Sequence, residues 1–269
     1  MRDRRGLTAI NSKSFDPRMV PEIAAGYFWE ADAATGFGTS AFKVPEGNGH
    51  TSADLLQATV ATQPTRLTEN GGVQFRMRKA ADANPSKMKS ASFAAGWTGA
   101  TYVGMWLRLP VDLTGTNNLF NHSTLVPSGL SRISLITVNG TPDIFRINLI
   151  SGAQAFTNTT FATPFADLGW HWIEAIFDPL NTLGGSGQTD FAKAFTDLVQ
   201  ISKVVGGNHP SAIADVSAEV RLAQTSGDTA TDTDDYDWAA CYYGNGIPNI
   251  VHRMRLANRK NPTGVLVHA

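Results

Sequence analysis

The stretch that decides the fold reads Thr101-Tyr-Val-Gly-Met-Trp-Leu-Arg-Leu-Pro110. Apolar side chains occupy every second position of it: Val103, Met105, Leu107 and Leu109. Because successive side chains of a β-strand point to opposite faces, this alternation predicts a strand with one wholly apolar face. Pro110 ends the strand, since proline has no backbone N–H to donate to a neighbouring strand.

Other segments have the same character. Residues 132–138 and 143–150 are rich in β-branched side chains and are separated by Asn139-Gly140, a pair that adopts the positive φ angles of a tight hairpin. We therefore expect these two strands to pair antiparallel. Further strands are predicted over residues 26–30, 170–178, 218–223 and 238–243.

One segment departs from the strand pattern. Across residues 191–205 apolar side chains recur at steps of three and four, and glycine-rich sequence flanks the segment on both sides. This spacing predicts a helix, with a strand inside 198–205 as the alternative. Short strands, many Gly and Pro turns and at most one short helix predict an all-β fold, an antiparallel β-sandwich or jelly roll.

The composition excludes several classes of protein. In 269 residues, 22 Lys and Arg against 23 Asp and Glu give a net charge of −1, so the basic excess of a general nucleic-acid binder is missing. The single cysteine, Cys241, cannot form an internal disulfide and is expected as a small buried side chain. No run approaches the ~18 apolar residues of a membrane span, and the N-terminus lacks the apolar core of a secretion signal. We therefore expect no nucleic-acid and no membrane partner.

The two ends of the chain differ from its middle. Residues 1–22 are polar and lack an apolar period, and we interpret them as an extended N-terminal arm. The sandwich is expected over residues 23–257, and residues 258–269 as a C-terminal tail. Basic side chains in the arm suit contacts with a more acidic neighbour in an assembly. The candidate assembly residues are Arg2, Arg4, Arg5 and Arg18.

Four segments together resemble a known family. Leu56-Gln-Ala-Thr-Val-Ala-Thr-Gln-Pro-Thr-Arg-Leu67, followed by Asn70-Gly-Gly-Val-Gln-Phe75, resembles the opening segment of concanavalin A-like lectin/glucanase domains of the laminin-G type. The strands at 101–108 and 169–178 look like two further strands that such domains contain. The resemblance covers roughly residues 25–257 and implies a concanavalin A-like jelly roll.

Domains of this family with a polar arm and no secretion signal are similar to virion proteins of tailed bacteriophages. The resemblance therefore implies a location in the virion and a structural role, as a decoration or appendage protein held by other virion proteins. Adhesion to host-surface polysaccharide is the expected additional role, and symmetric homo-oligomers are the natural form within an assembly.

A glycan-active enzyme, either a glycoside hydrolase or a lyase, is the alternative on the same fold. Glucanases of this fold place carboxylates as Glu-x-Asp-x-x-Glu on one strand face, where one serves as nucleophile and another as acid. The nearest match, Glu30-Ala-Asp-Ala-Ala-Thr35, has threonine at the last position, and threonine cannot protonate a leaving group. The sequence therefore favours a protein that is not an enzyme.

The acidic loop at residues 228–237 is the densest carboxylate cluster. Hard oxygen ligands suit calcium, so the loop is a candidate calcium site, with a solvated acidic turn as the alternative. The candidate ligands are Asp232, Asp234 and Asp235.

Aromatic side chains near turns are candidate platforms for sugar rings, whose C–H groups pack on ring faces. Trp97, Tyr242 and Tyr243 flank glycine-containing turns and are the residues predicted to bind carbohydrate. Trp106, Trp170 and Trp172 lie in apolar strands and are expected in the core. His171, on one of these strands, is expected to be structural.

Overall fold

The computed structural model describes residues 15–91, 93–94, 100–110, 114–123, 132–138, 144–151, 154–158, 167–178, 190–205, 217–223 and 232–268. In this part of the chain the helices and strands are α1 (Pro21–Ala24), β1 (Tyr27–Glu30), β2 (Lys43–Val44), β3 (Leu55–Leu56), β4 (Thr65–Glu69), β5 (Gly72–Met77), β6 (Met88–Lys89), β7 (Phe93–Ala94), β8 (Thr101–Arg108), β9 (Thr116–Ser123), β10 (Arg132–Val138), β11 (Ile144–Ser151), β12 (Gln154–Asn158), β13 (Trp170–Phe177), β14 (Asp190–Thr196), β15 (Val199–Val205), β16 (Ser217–Leu222), β17 (Tyr236–Asn245) and α2 (Ile250–Arg259). Short 3-10 turns lie at Pro17–Met19, Ala31–Ala33, Thr51–Ala53 and Val60–Thr62.

Two antiparallel sheets contain these strands. Sheet A has the order β15-β14-β13-β8-β17-β5-β4, and β1 also pairs with β17. Sheet B has the order β12-β11-β10-β9-β16-β6-β3-β2, and β7 also pairs with β16. Strands β10 and β11 pair antiparallel, as their sequences predict, and the turn at Asn139-Gly140 lies outside the described residues. The predicted all-β sandwich is confirmed.

Strand β8 lies at the centre of sheet A, between β13 and β17. Its predicted apolar face, with Val103, Met105 and Leu107, is buried in the main core, to which sheet B also contributes. The opposite face is buried too, since Tyr102 and Trp106 are 0% and 1% exposed. A further layer therefore covers the outer face of sheet A.

Helix α2 and the segment from Phe15 to α1 form that layer. Phe15, Val20 and Ile23 are buried in a second apolar cluster together with Leu256 of α2 and with Trp106. The part of the predicted arm between residues 15 and 22 therefore belongs to the packed structure, because apolar side chains anchor it.

The arginines assigned to assembly contacts fall on both sides of this boundary. Arg2, Arg4 and Arg5 lie outside the described residues. The Arg18 side chain is 62% exposed and pairs with Asp16, whose Oδ2 lies 2.7 Å from the guanidinium. Arg18 is thus at the surface, and its assembly contact stays a prediction.

A buried ion pair ties the middle of α2 to sheet A. The Arg253 guanidinium donates to both oxygens of Glu174, with Nε 3.0 Å from Oε1 and 3.1 Å from Oε2. The Tyr102 hydroxyl donates to the same Oε1 at 2.7 Å. Because desolvating two charges is costly, such a pair is stable only when hydrogen bonds satisfy its remaining polar atoms, as Tyr102 does here.

A second pair repeats this arrangement at the end of α2. Arg259 donates to both oxygens of Glu30, with Nη2 3.0 Å from Oε2, and the Tyr242 hydroxyl donates to Oε1 at 2.8 Å. Between the two pairs, the Trp106 indole N–H donates to the Ala257 carbonyl at 2.7 Å. Helix α2 is therefore fixed along its length by polar contacts to sheet A.

The segment predicted as a helix over 191–205 is a β-hairpin. Strands β14 and β15 pair antiparallel, and Asp197 and Leu198 form the turn between them with φ values of 50° and 70°. The three- and four-residue spacing arises because apolar residues fall on both strands and in the turn. The helix prediction was wrong, and β15 occupies the predicted alternative strand within 198–205.

Helix α2 begins within the range predicted for the sandwich, 23–257, and ends within the predicted C-terminal tail, 258–269. Asn249 caps it, with its Oδ1 accepting from the His252 backbone N–H at 3.0 Å. Arg253 and Leu256 of this helix are buried, so the segment is part of the fold. No helix in the described part of the chain has the length and apolar run that crossing a bilayer requires.

Arg253→Ala is expected to lower the free energy of unfolding by about 3–5 kcal/mol, because it leaves the Glu174 carboxylate buried without its partner. Equilibrium urea unfolding measures this change. Arg18→Ala is the matched control, since it removes an exposed ion pair and should leave the unfolding midpoint near that of the parent protein. An unchanged midpoint for Arg253→Ala would contradict the docking role of the pair.

Candidate functional site

The predicted carbohydrate-binding tyrosines are not at the surface. Tyr242 and Tyr243 are both 0% exposed, on opposite faces of β17. The Tyr243 hydroxyl lies 2.8 Å from His122 Nδ1 in the core. The expectation of exposed rings is corrected: a layer packs on each face of β17, so neither tyrosine offers a platform to a sugar. Trp97 lies outside the described residues.

Each predicted calcium ligand accepts hydrogen bonds from a different part of the fold. The donors are the Asn118 N–H for Asp232, the Thr114 N–H for Asp234 and the Lys79 N–H for Asp235. In the part of the chain that the structure describes, no three His, Cys, Asp or Glu side chains are placed to share a metal ion. The arrangement does not fit one calcium ion held by all three carboxylates, which instead hold loops together.

Asp232 has an unusual protonation equilibrium. Burial raises its pKa to about 7, although the Asn118 backbone and side chain both donate to Oδ1. Its Oδ2 has no hydrogen-bond partner among the described residues. A carboxyl whose pKa is higher in the folded protein binds its proton more tightly there. The contribution of Asp232 to the free energy of unfolding is therefore complete below the pKa of the unfolded state, about 3.9. It is lost as the pH rises through the pKa of the folded state.

Asp232→Asn should remove this decline, because the amide keeps an acceptor for Asn118 and never ionises. We expect the variant to be more stable than the parent at about pH 8, and their difference to shrink toward about pH 5. Urea unfolding midpoints at the two pH values test this. Asp82→Asn, at an exposed aspartate, is the control. Equal pH dependence in Asp232→Asn and the parent would refute the assignment.

A groove beside Trp170 combines aromatic and polar groups at the surface. Of the tryptophans in the described segments, Trp29, Trp106, Trp172 and Trp238 are fully buried, and Trp170 alone keeps exposed surface. We define the Trp170 groove as the cavity of about 420 Å³ lined by Trp106, Trp170, Asp197, Thr263, Val265, Leu266, Val267 and His268.

One hydrogen bond and a cation hold the Trp170 indole in place. Its Nε1 donates to Glu69 Oε2 at 2.8 Å, and the Arg108 guanidinium carbon lies 4.8 Å from the ring centroid. Arg108 in turn donates to Glu69 Oε1 at 2.7 Å and to the buried Asp237 at 2.8 Å. The ring is therefore rigid, with an arginine against it and the groove beside it.

The same Glu69 joins the groove to a smaller polar cavity. This cavity, of about 110 Å³, lies between the β4–β5 hairpin and residues 259–262, and Asp32, Gln74 and Lys260 line it with Glu69. Burial alone would raise the pKa of Glu69, but hydrogen bonds from Trp170 and Arg108 and the charge of Arg108 lower it. Glu69 is therefore an ionised acceptor that lines this smaller cavity and binds the indole of the Trp170 groove.

The wall formed by residues 263–268 depends on one side chain of α2. The Asn258 amide donates from Nδ2 to the Val267 carbonyl at 2.9 Å, and its Oδ1 accepts from the Val267 N–H at 2.8 Å. Asn70 of the β4–β5 turn also donates to the Pro262 carbonyl. These contacts direct the chain across the outer face of sheet A.

His171 fixes the other end of the groove. Its Nδ1 lies 2.9 Å from Asp197 Oδ2, and its Nε2 lies 2.9 Å from Asp167 Oδ1. Burial alone would lower the pKa of His171, but hydrogen bonds to the two carboxylates raise it. The reason is that only the imidazolium can donate to both acids, whereas neutral imidazole has one N–H.

The His171 contact should make stability fall at high pH. A histidine with a raised folded pKa contributes its full stability below the unfolded pKa, about 6.5, and loses it as the pH rises through the folded value. Thermal midpoints of the parent and of His171→Gln, measured across this range, should converge as the pH rises. His50→Gln, at an exposed histidine, is the control and should keep the parent's profile. Midpoints that stay a constant distance apart would contradict this role.

Sequence reasoning missed Trp170 as a site residue because it treated the strand 170–178 as a core strand throughout. The signal was present: Trp170 is the first residue of β13 and pairs with Arg108, the last residue of β8. Alternation predicts burial only in the middle of a strand, and at sheet ends a side chain on the same face can reach solvent.

The sequence matches no protein-family model and no curated protein. The binding domain of botulinum neurotoxin DC in complex with rat synaptotagmin II matches with a TM-score of 0.55 at 7% sequence identity, over 88% of this chain and 52% of that chain.

Two further toxin structures match similarly. Botulinum neurotoxin type C, which depends on interaction with two ganglioside molecules to enter cells, gives a TM-score of 0.53 at 8% identity, over 85% of this chain and 50% of that chain. The binding domain of neurotoxin DC in complex with SialylT gives 0.51 at 9% identity, over 78% and 47%. This chain therefore spans about half the length of these solved chains, and the likeness shows the sandwich fold.

Proposed function

We propose that this chain is a carbohydrate-binding β-sandwich whose ligand lies in the Trp170 groove. The observation that carries the proposal is the partly exposed Trp170 indole, held by Glu69 and Arg108 at the edge of a cavity of about 420 Å³. Proteins of the same fold add support, since solved neighbours are described with gangliosides or with SialylT.

The groove supplies the two kinds of contact that a sugar ring needs. An immobile indole offers an apolar face for C–H groups and loses little conformational entropy when the sugar binds. Asp197 accepts from the Trp172 N–H and contacts His171, and its carboxylate retains capacity for a sugar hydroxyl. Glu69, Asp32, Gln74 and Lys260 offer further acceptors and donors where an oligosaccharide would extend.

Binding without cleavage is the mode that we propose. Glycoside hydrolysis requires a carboxylic acid with a raised pKa beside a second carboxylate. At the groove, hydrogen bonds from His171 and the Gly169 N–H lower the pKa of Asp167, and that of Glu69 is lowered as well. Asp237 is held by Arg76 and Arg108. Asp232 has a raised pKa, but it is 1% exposed and bound to Asn118.

We also propose that the domain works in the virion of a tailed phage, as a decoration or appendage protein that binds host-surface polysaccharide. The support is the sequence resemblance together with the arginines of the arm. Mass spectrometry of purified particles should detect the protein. The combined substitution of Arg2, Arg4 and Arg5 by alanine should reduce its incorporation without changing the thermal midpoint of the isolated protein. Unreduced incorporation would count against contacts by the arm.

Binding to an array of bacterial surface polysaccharides and sialylated oligosaccharides tests the carbohydrate proposal, with calcium and with chelator in parallel. We expect retention of the parent protein and no released sugar fragments. Trp170→Ala and Glu69→Gln should each weaken binding by about tenfold or more, since each removes part of the aromatic platform or its anchor.

Phe37→Ala is the matched control, because it truncates an aromatic ring that is 44% exposed outside the groove, and it should bind as the parent does. Release of fragments would overturn the non-enzymatic proposal. Retention that is unchanged in Trp170→Ala would place the ligand elsewhere on the molecule.

A further inference from the structure

A second cavity lies on the other sheet, where sheet B is weakly paired. Strands β3 and β6 meet at one residue pair, Leu56 opposite Lys89, and β6 pairs with β16 at two. Residues 56–59 and 87–91 wall a cavity of about 470 Å³ beside this junction, and Glu219 of β16 also lines it. Small-molecule sites have volumes of roughly 300–1,000 Å³, so the Glu219 cavity is large enough for a sugar ring.

Glu219 places a buried carboxylate at this cavity. The Glu219 side chain is 7% exposed, and its Oε2 accepts from Arg221 Nε at 3.1 Å and Nη2 at 2.9 Å. Oε1 receives no hydrogen bond from any residue that the structure describes. The buried arginine thus fixes the carboxylate through Oε2, and within the described residues Oε1 keeps its capacity to accept from a ligand.

The walls of the cavity are held in position before any ligand arrives. The Gln57 amide donates to the Lys87 carbonyl at 2.9 Å and accepts from the Thr59 N–H at 3.0 Å. The Ser90 hydroxyl accepts from the Val220 N–H at 3.0 Å. Because Gln57 and Ser90 are themselves buried, little ordering is left for a ligand to impose.

The chemistry of the cavity selects a neutral ligand with hydroxyl groups. Oε1 of Glu219 requires a hydrogen-bond donor from the ligand. Lys89 Nζ, which lies 3.9 Å from Oε2, repels a cationic ligand. Leu56 is 42% exposed at the wall and suits an apolar face. A sugar ring meets all three conditions, with one hydroxyl donating to Glu219, its neighbour accepting from Lys89 and its C–H face against Leu56.

We propose that the Glu219 cavity is a second binding site for a neutral sugar, on the opposite sheet from the Trp170 groove. This inference rests on the proposed carbohydrate-binding function and makes the domain bivalent. Two sites on separate sheets bind one polysaccharide with an avidity that exceeds the affinity of either site.

Amide chemical shifts in a two-dimensional NMR titration test the proposal, with the methyl glycosides of glucose, galactose and mannose as probes. We expect two separate groups of shifted amides for the parent protein. One group includes residues 56–59, 88–90 and 219, and the other includes residues 170–172 and 197. Glu219→Gln should weaken the first group's response by about tenfold or more and leave the second unchanged.

Leu56→Asn is the second variant, because it alters the exposed wall of the cavity and keeps the Glu219–Arg221 pair intact. It tests the site even if Glu219→Gln fails to fold. It should weaken the same group of shifts. Asp82→Asn, at an exposed acid elsewhere, should change neither group. Shifts confined to the Trp170 group would overturn the second site and leave the proposed function standing, whereas the absence of shifts in both groups would count against both.

Discussion

Two arginines of α2 that pair with buried glutamates are the constraint on which the candidate site depends. Arg253 and Arg259 bind Glu174 and Glu30 on the outer face of sheet A, and a tyrosine hydroxyl completes each pair. A buried charge without its partner is strongly destabilising, so the helix has one position in which both pairs are satisfied. Since residues 260–268 continue from α2, that position decides where the wall of the Trp170 groove runs.

The central strand β17 shows why both faces of sheet A are closed. Its first part pairs with β5 at residues 236–238, and its second part pairs with β1 at residues 240–243. Trp238 and Cys241 face the main core, as expected for the small buried cysteine, while Tyr242 faces the α2 layer. Successive residues of one strand are therefore buried in two different clusters, and the sandwich is locally three layers thick.

The sequence could predict the strands of the sandwich and much of its core, but not the layer outside it. Alternation at 101–110 depends on local geometry alone and was sufficient for β8. The sequence did not predict helix α2, because the buried face of this helix includes an arginine. Burial of that arginine is favourable only beside Glu174, which lies on a strand far away in the chain. The sequence did not predict the hairpin at 190–205, because its turn needs positive φ at both Asp197 and Leu198, and leucine rarely adopts that conformation.

The candidate site could not be predicted from the sequence either, because its residues are brought together only by the tertiary fold. Trp170, Glu69, Arg108 and Asp197 come from four elements, and no two of them are close in the chain. The aspartates of the acidic loop, by contrast, are close in sequence, but they accept hydrogen bonds from separate backbone donors. Proximity along the chain therefore predicted an acidic cluster whose carboxylates in fact bind different parts of the fold. Sheet pairing, by contrast, brings together the residues around Trp170, which are far apart in sequence.

Ion pairs fix the orientation of several carboxylates in this fold. Glu30, Glu174, Glu219 and Asp237 each face an arginine in the described structure. Hydrogen bonds from an arginine hold its partner carboxylate in a fixed orientation. Carboxylates fixed in this way are oriented acceptors for hydroxyl donors, as the tyrosine hydroxyls on Glu174 and Glu30 show. The same ion pairs that hold the layers together therefore provide oriented hydrogen-bond acceptors on both sheets, which is the property that the proposed binding of sugar hydroxyls requires.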